Sequence, residues 1–216
     1  MRLGIVTGLA FEARLIVSSW IAEPAPLVRT GQGPAAAAAA AEELMALGVT
    51  RLASMGLAGG LAPELRPGSL IVPHTVVDDV GSIDVEVCGL AAHLGATSGV
   101  LRTVDRPVAG VAAKAGLAVD GVVAVDMESA AVARVAAVHG RSAGVVRVIA
   151  DPAERALPSV AMVATDAAGR LRPLAIAGAL FGRPAEWPLL LQTAADARAA
   201  RAGLRDAALA LSRFAG

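Results

Sequence analysis

Short runs of Val, Ile and Leu that end near a glycine recur along this 216-residue chain, and alanine-rich stretches with helical spacing lie between them. That alternation constrains the fold most, because parallel strands are joined by helical crossovers, and it predicts an α/β architecture. Strands are expected at residues 2–7, 27–30, 52–55, 69–72, 122–125 and 144–149. Their near-continuous aliphatic character marks strands covered on both faces. Pro34 opens a helix that runs through seven alanines towards Gly48, and a second helix is expected over 127–139, closed by Gly140. From Pro173 the chain reads as helical, with Pro184 and Pro188 separating 174–181 from 189–214. The segment 79–121 is the least regular and reads as loops with marginal strands.

Hydrophobic residues make up 56% of the chain and aromatics 2%, with no Tyr, and the formal net charge is +0. This balance excludes disorder and argues against a nucleic-acid partner, which takes positive charge and aromatic stacking platforms. The mean hydropathy of +0.63 raises the question of a membrane span. A spanning helix needs about 20 apolar residues in a row, and charges interrupt every candidate run. Glu42 and Glu43 end the alanine run, and Arg183 closes the run from Leu174. Glu12 and Arg14 interrupt the only apolar N-terminal stretch, the lone Cys88 has no internal disulfide partner, and no Cys/His spacing suggests a metal. The expectation is a cytoplasmic protein with no metal or other cofactor. One lysine, Lys114, stands among 19 basic residues, a bias that reads as composition rather than function.

Ligands of α/β sheets bind beyond the carboxyl ends of strands, so residues just after each strand are candidates for chemistry. Three acidic groups fall there: Glu12 after the first strand and Gly8, Asp126 with Glu128 on either side of Met127, and Asp151 ahead of Pro152. Each also has a plain structural reading. Glu12 and Glu128 suit a solvated first helical turn, Asp126 suits an N-cap, and Asp-Pro suits a turn. Gly31-Gln32-Gly33-Pro34-Ala35-Ala36 has the form of a dinucleotide fingerprint, but no acidic residue ends the next strand to take a ribose. A second cluster, Gly56-Leu57-Ala58-Gly59-Gly60, reads as tight turns with close backbone approach, without the lysine of a P-loop.

Taken in order, five segments resemble the purine nucleoside phosphorylase and methylthioadenosine nucleosidase superfamily. They are Gly4-Ile5-Val6-Thr7-Gly8 with Glu12; Thr30-Gly31-Gln32-Gly33; Gly56 to Leu61 running into Arg66-Pro67-Gly68-Ser69-Leu70-Ile71-Val72; Val125-Asp126-Met127-Glu128-Ser129; and Val146-Arg147-Val148-Ile149-Ala150-Asp151. The stretch Ala150-Asp151-Pro152-Ala153-Glu154-Arg155-Ala156-Leu157-Pro158 and the later Gly169-Arg170-Leu171-Arg172-Pro173-Leu174 resemble the hopanoid-biosynthesis-associated branch, linked to removal of adenine from adenosylhopane. The resemblance implies one domain over 1–216 with an apolar helical part at 173–216. It also implies a three-layer α/β/α fold around a twisted mixed sheet, and a homo-oligomer.

It implies a chemistry as well. Breaking a purine N-glycosidic bond builds positive charge on the sugar and negative charge on the base, which an acid and an anion stabilise. Asp151 matches the carboxyl that protonates the base, and Glu12 the base that activates water. Glu128 matches the acceptor of the ribose hydroxyls, with Met127 packed beside the sugar and Arg147 as a partner for the carboxylates, unless its ion pair is purely structural. Asp126, Gly8, Leu57, Ala58 and Gly59 complete the expected substrate-binding set. Phosphate is the alternative co-substrate to water, but Leu57 stands where phosphorylases place a hydroxyl donor. Arg14 and Arg29 are the nearest cations that could compensate. No aromatic occupies the 101–104 region for base stacking, which leaves room for a bulky 5′ group. The apolar tail, with Leu174, Ile176, Leu180, Phe181, Trp187 and Leu189 to Leu191, has two readings: packing on the core or a second subunit, and contact with a lipid-like substrate or membrane surface. The substrate alternatives are methylthioadenosine, adenosylhomocysteine and a simple purine nucleoside. A non-catalytic nucleoside-binding protein of the same fold is a further alternative.

Overall fold

The computed structural model describes residues 2–86, 96–158 and 187–215. Its axis is β3 (Arg51–Gly60), the longest strand among them. β1 (Leu3–Thr7) lies parallel to the first half of β3, and β2 (Leu27–Thr30) lies parallel to β1 at the edge. β9 (Ala143–Asp151) runs parallel to β3 along its other flank, from Leu52 to Gly59. Gly59 pairs with Asp151 of β9 and also with Val125 of β8 (Val122–Asp126), so β8 occupies the flank that β1 leaves after Ser54. β1 is parallel to β3 and β8 antiparallel to it, so their carboxyl ends point at each other along that flank. The sheet continues from β8 through β7 (Val100–Thr103) and β5 (Thr75–Val77) to β6 (Ser82–Asp84), while β4 (Leu70–Ile71) pairs with β9.

Helices cover both faces of this open, twisted, mixed sheet, as the sequence predicts. On one face α2 (Pro34–Ala46) packs with α4 (Ser129–Val138), burying Ala37, Ala41 and Leu44 with Val132 and Ala136 over Val6, Leu52 and Val145. The alanine run serves this contact, since small side chains at i, i+3 and i+4 let two helices and a sheet approach closely. On the other face α1 (Ala10–Ser19) packs with α5 (Trp187–Ala215), placing Ile16, Ala200, Leu204 and Ala208 over Ile5, Met55 and Val146. Pro188 sits in the first turn of α5, where a missing N–H costs no helical hydrogen bond. No helix among the described residues is long and apolar enough to cross a membrane.

Three expectations need correction. The strand expected at 52–55 continues to Gly60, so the second glycine cluster forms strand rather than turns. The strand expected at 69–72 is limited to Leu70–Ile71. The segment 79–121, expected as loops with marginal strands, contains β6, the interior strand β7 and α3 (Val111–Leu117). The expected helix at 174–181 lies outside the described residues.

Candidate active site

The facing ends of β1 and β8 leave a gap beside β3, and a cavity of about 230 Å³ fills it. Gly8, Glu12, Leu57, Ala58, Gly59, Asp126, Met127, Glu128 and Asp151 all line this cavity, so nearly every residue expected from sequence meets there. Leu9, Val104, Pro107, Val108, Val125 and Leu157 supply its apolar walls.

Glu12 sits in the first turn of α1, but it is buried rather than solvated. Its Oε2 accepts from the Thr7 hydroxyl at 2.6 Å and from Leu9 N–H at 2.8 Å, and its Oε1 accepts from Leu57 N–H at 2.9 Å. The same carboxylate therefore closes the helix start and joins β1 to β3. Leu57, which has no hydroxyl to donate, thus contributes its backbone N–H to Glu12. Gly56 explains the glycine here. A Cβ at that position would lie 2.8 Å from Arg147 Nη1 and 3.1 Å from Glu12 Oε2, so the strand carries no side chain where these two groups approach it.

Glu128 stands at the N-cap position of α4 and is buried opposite Gly8, where an added Cβ would come within 3.0 Å of Oε1. Oε1 accepts from Gly33 N–H at 3.0 Å. Gly33 holds a φ of +81°, a conformation that glycine adopts without strain, and this turns its N–H towards Glu128. The first glycine cluster is therefore occupied by a carboxylate, which removes the dinucleotide reading. Burial, with Asp126 and Glu12 nearby, raises the Glu128 carboxyl to about 7 against the opposing pull of Arg147 and Gly33 N–H.

Arg147 stands apart from the rest of the expected substrate-binding set and pairs with the carboxylates instead. It is fully buried behind the cavity wall and does not line the cavity. Its Nη2 lies 2.6 Å from Asp126 Oδ2 and 3.6 Å from Glu128 Oε2, and it donates to Ser54 Oγ at 2.6 Å. Asp126 lines the cavity, yet both its oxygens are engaged: Oδ1 takes the Thr103 hydroxyl at 2.6 Å, and Oδ2 takes Ser129 N–H at 3.0 Å as well as Arg147. The pair fixes the β8 to α4 turn and so aims Glu128. Arg14 is exposed and Arg29 pairs with Glu43 at 2.7 Å, so neither lines the cavity. His74 and His139 make surface contacts with Ser98 and Glu42, and Asp84 and Glu86 bond Thr75 and Arg51 outside the site.

Asp151 ends β9, where the register slips by one residue so that Asp151 rather than Ala150 faces Gly59. Such a bulge re-aims a side chain at a strand end. Its partner is Lys114 of α3, whose ammonium donates to Asp151 Oδ2, to Pro152 O at 2.7 Å and to Arg155 O at 3.0 Å. Burial raises the Asp151 carboxyl to about 6, Lys114 opposes that rise, and Asp196 of α5 adds to it. Sequence reasoning missed Lys114. Its only trace was that it is the one lysine of the chain, within an otherwise apolar helical stretch.

An α/β sheet with carboxylates gathered at opposed strand ends around an apolar-walled cavity forms a small-molecule site. The family model of the phosphorylase superfamily matches residues 12–95 and 88–177, and the chain belongs to that superfamily. No curated protein matches it in sequence. Among solved structures it is similar to futalosine hydrolase of Helicobacter pylori, at 17% identity and a TM-score of 0.66 over 100% of this chain and 95% of that one. It is also similar to S-adenosylhomocysteine nucleosidase of Streptococcus pyogenes in complex with a methylthiotubercidin, at 22% identity and a TM-score of 0.64 over 71% of this chain and 84% of that one. A variant nucleosidase of Helicobacter pylori with 5′-methylthioadenosine in its active site shares 17% identity at a TM-score of 0.63, covering 99% and 96%.

Proposed function

We propose that the protein is a nucleosidase that hydrolyses a purine N-glycosidic bond and releases adenine from a nucleoside with a bulky, lipid-like 5′ group of the adenosylhopane type. The observation that carries the reading is the meeting of Glu12, Glu128 and Asp151 at one cavity whose described lining contains no Arg or Lys. Phosphorolysis needs cations or several donors for a phosphate dianion, whereas hydrolysis needs a base for water.

In this reading Asp151, protonated, donates to N7 of the base, so the electron pair of the breaking bond leaves on neutral adenine. Glu12 takes a proton from water as the water oxygen bonds to C1′. Glu128 accepts from the ribose hydroxyls and opposes the positive charge growing on the sugar. Apolar walls at Pro107, Val108 and Leu157, with no aromatic lid among the lining residues, support an apolar substituent beyond the ribose. The tail segment resembling the hopanoid-associated branch supports the same choice. The ligands of the similar nucleosidases favour a second reading, in which methylthioadenosine or adenosylhomocysteine is the substrate.

The test is adenine release from adenosylhopane, methylthioadenosine and adenosylhomocysteine, each with and without phosphate. Release from adenosylhopane without phosphate, at the highest kcat/KM of the three, is expected. A preference for either other nucleoside selects the second reading. No adenine from any of them overturns N-glycosidic cleavage and leaves the nucleoside-binding alternative.

A further inference from the structure

Lys114 is 1% exposed and lies on a seven-residue helix between β7 and β8, far in sequence from the acid it touches. A buried ammonium is costly unless each of its donors finds an acceptor. Here all three do: one carboxylate oxygen of Asp151 and two main-chain carbonyls of the loop that follows it. The two carbonyls hold the ammonium but cannot take a proton from it. The same loop is fastened twice more, by Leu157 N–H donating to Ala109 O at 2.9 Å and by Arg155 pairing with Asp196 on α5. Leu157, Pro107 and Val108 line the cavity, so the clamp also joins two parts of its wall.

We infer that Lys114 is a positioning residue for the proton-donating step: its ammonium ties Oδ2 of Asp151 to the loop after β9 and leaves Oδ1 to present the proton to the purine. The inference rests on the nucleosidase reading above. The charged groups around Asp151 are Lys114 from α3, Asp196 from α5 with Arg155 bound to it, and, across the cavity, Glu12 from α1 with Asp126 and Glu128 from the end of β8. Of these, Lys114 is the cation in contact with the carboxylate. It restrains the rise that burial imposes, and so decides over which pH range the acid is both formed and willing to donate.

The experiment compares wild type with Lys114→Gln, Lys114→Met, Lys114→Arg and Asp151→Asn. The Asp151 carboxyl is titrated by carbon NMR, assigned by its absence in Asp151→Asn, and kcat and KM for adenine release are followed against pH. Gln keeps a donor without the charge, so it separates tethering from electrostatics if Met disturbs folding. Lys114→Gln and Lys114→Met should raise the Asp151 midpoint by about 1–3 units, the size expected for loss of an adjacent opposite charge. The alkaline limb of kcat/KM should move with it, while Lys114→Arg keeps the midpoint near that of wild type. An unmoved midpoint in folded Gln or Met variants overturns the inference, as does a loss of kcat with an unmoved limb, which is loop support alone. If wild type itself releases no adenine the nucleosidase reading fails, while the NMR midpoints still decide whether Lys114 governs Asp151.

Discussion

Gly56→Ala isolates the claim that Gly56 carries no side chain so that Arg147 and Glu12 can both approach β3 there. The added Cβ would stand 2.8 Å from Arg147 Nη1 and 3.1 Å from Glu12 Oε2, with Glu12 Oε1 at 3.2 Å. The backbone at Gly56 lies outside the positive-φ region, so the effect comes from crowding and not from strain of φ. Neither neighbour yields easily, because Arg147 is held by Ser54, Ser129 and Asp126, and Glu12 by Thr7, Leu9 and Leu57. Overpacking of this kind costs about 1–3 kcal/mol. For a chain of this size that corresponds to a fall of about 2–12 °C in Tm. A shift of Glu12 by a few tenths of an ångström should also lower kcat, given that misplacement by about 1 Å costs roughly 100-fold. Gly144→Ala is the control, since a Cβ there meets nothing within 4 Å and Gly144 also sits in a strand paired with β3. Thermal unfolding and adenine release are measured on both. Equal Tm and equal kcat for the two variants would refute the reasoning.

Other outcomes follow from the same geometry. In the proposed mechanism Asp151 is protonated and Glu128 ionised, so with carboxyls at about 6 and about 7 the log kcat/KM profile should rise below pH 6, stay flat from 6 to 7 and fall above 7. Glu128→Gln should abolish the acid limb and Asp151→Asn the alkaline limb of whatever activity remains; limbs that survive both substitutions contradict the assignment. Arg147→Met leaves buried Asp126 without its cation and should cost about 3–5 kcal/mol in urea unfolding. Arg134 bonds Asp78 and holds its carboxyl below the usual value, so the pair stabilises the fold above pH 4 and loses that contribution as pH falls through the lowered value. Arg134→Ala should therefore narrow the stability difference between neutral and acid pH, as read by urea midpoints at the two pH values.

The parts of this structure legible in the sequence are those with a local signature. β1, β2, β8 and β9 are aliphatic runs, α2 opens at Pro34 and is followed by Gly48 at a φ of +77°, and the three carboxylates stand at or just past strand ends. The glycine-rich half of β3 suggests turns because glycine weakens a strand, and close neighbours explain the glycines there: Arg147 and Glu12 at Gly56, Val125 at Gly59 and Ile149 at Gly60. β7 and α3 left no pattern because each is short and is held by tertiary contacts. Lys114 carried no motif at all; its meaning lies in carbonyls and a carboxylate 37 to 41 residues away.

The central claim is that water, activated by Glu12, attacks a sugar whose purine is protonated by Asp151. Single-turnover cleavage in oxygen-18 water without phosphate tests it most directly, with the sugar product read by mass spectrometry. The account predicts adenine release with one heavy oxygen in the sugar product, lost in Glu12→Gln and in Asp151→Asn. Release that requires phosphate, or that persists undiminished in Glu12→Gln, would contradict it.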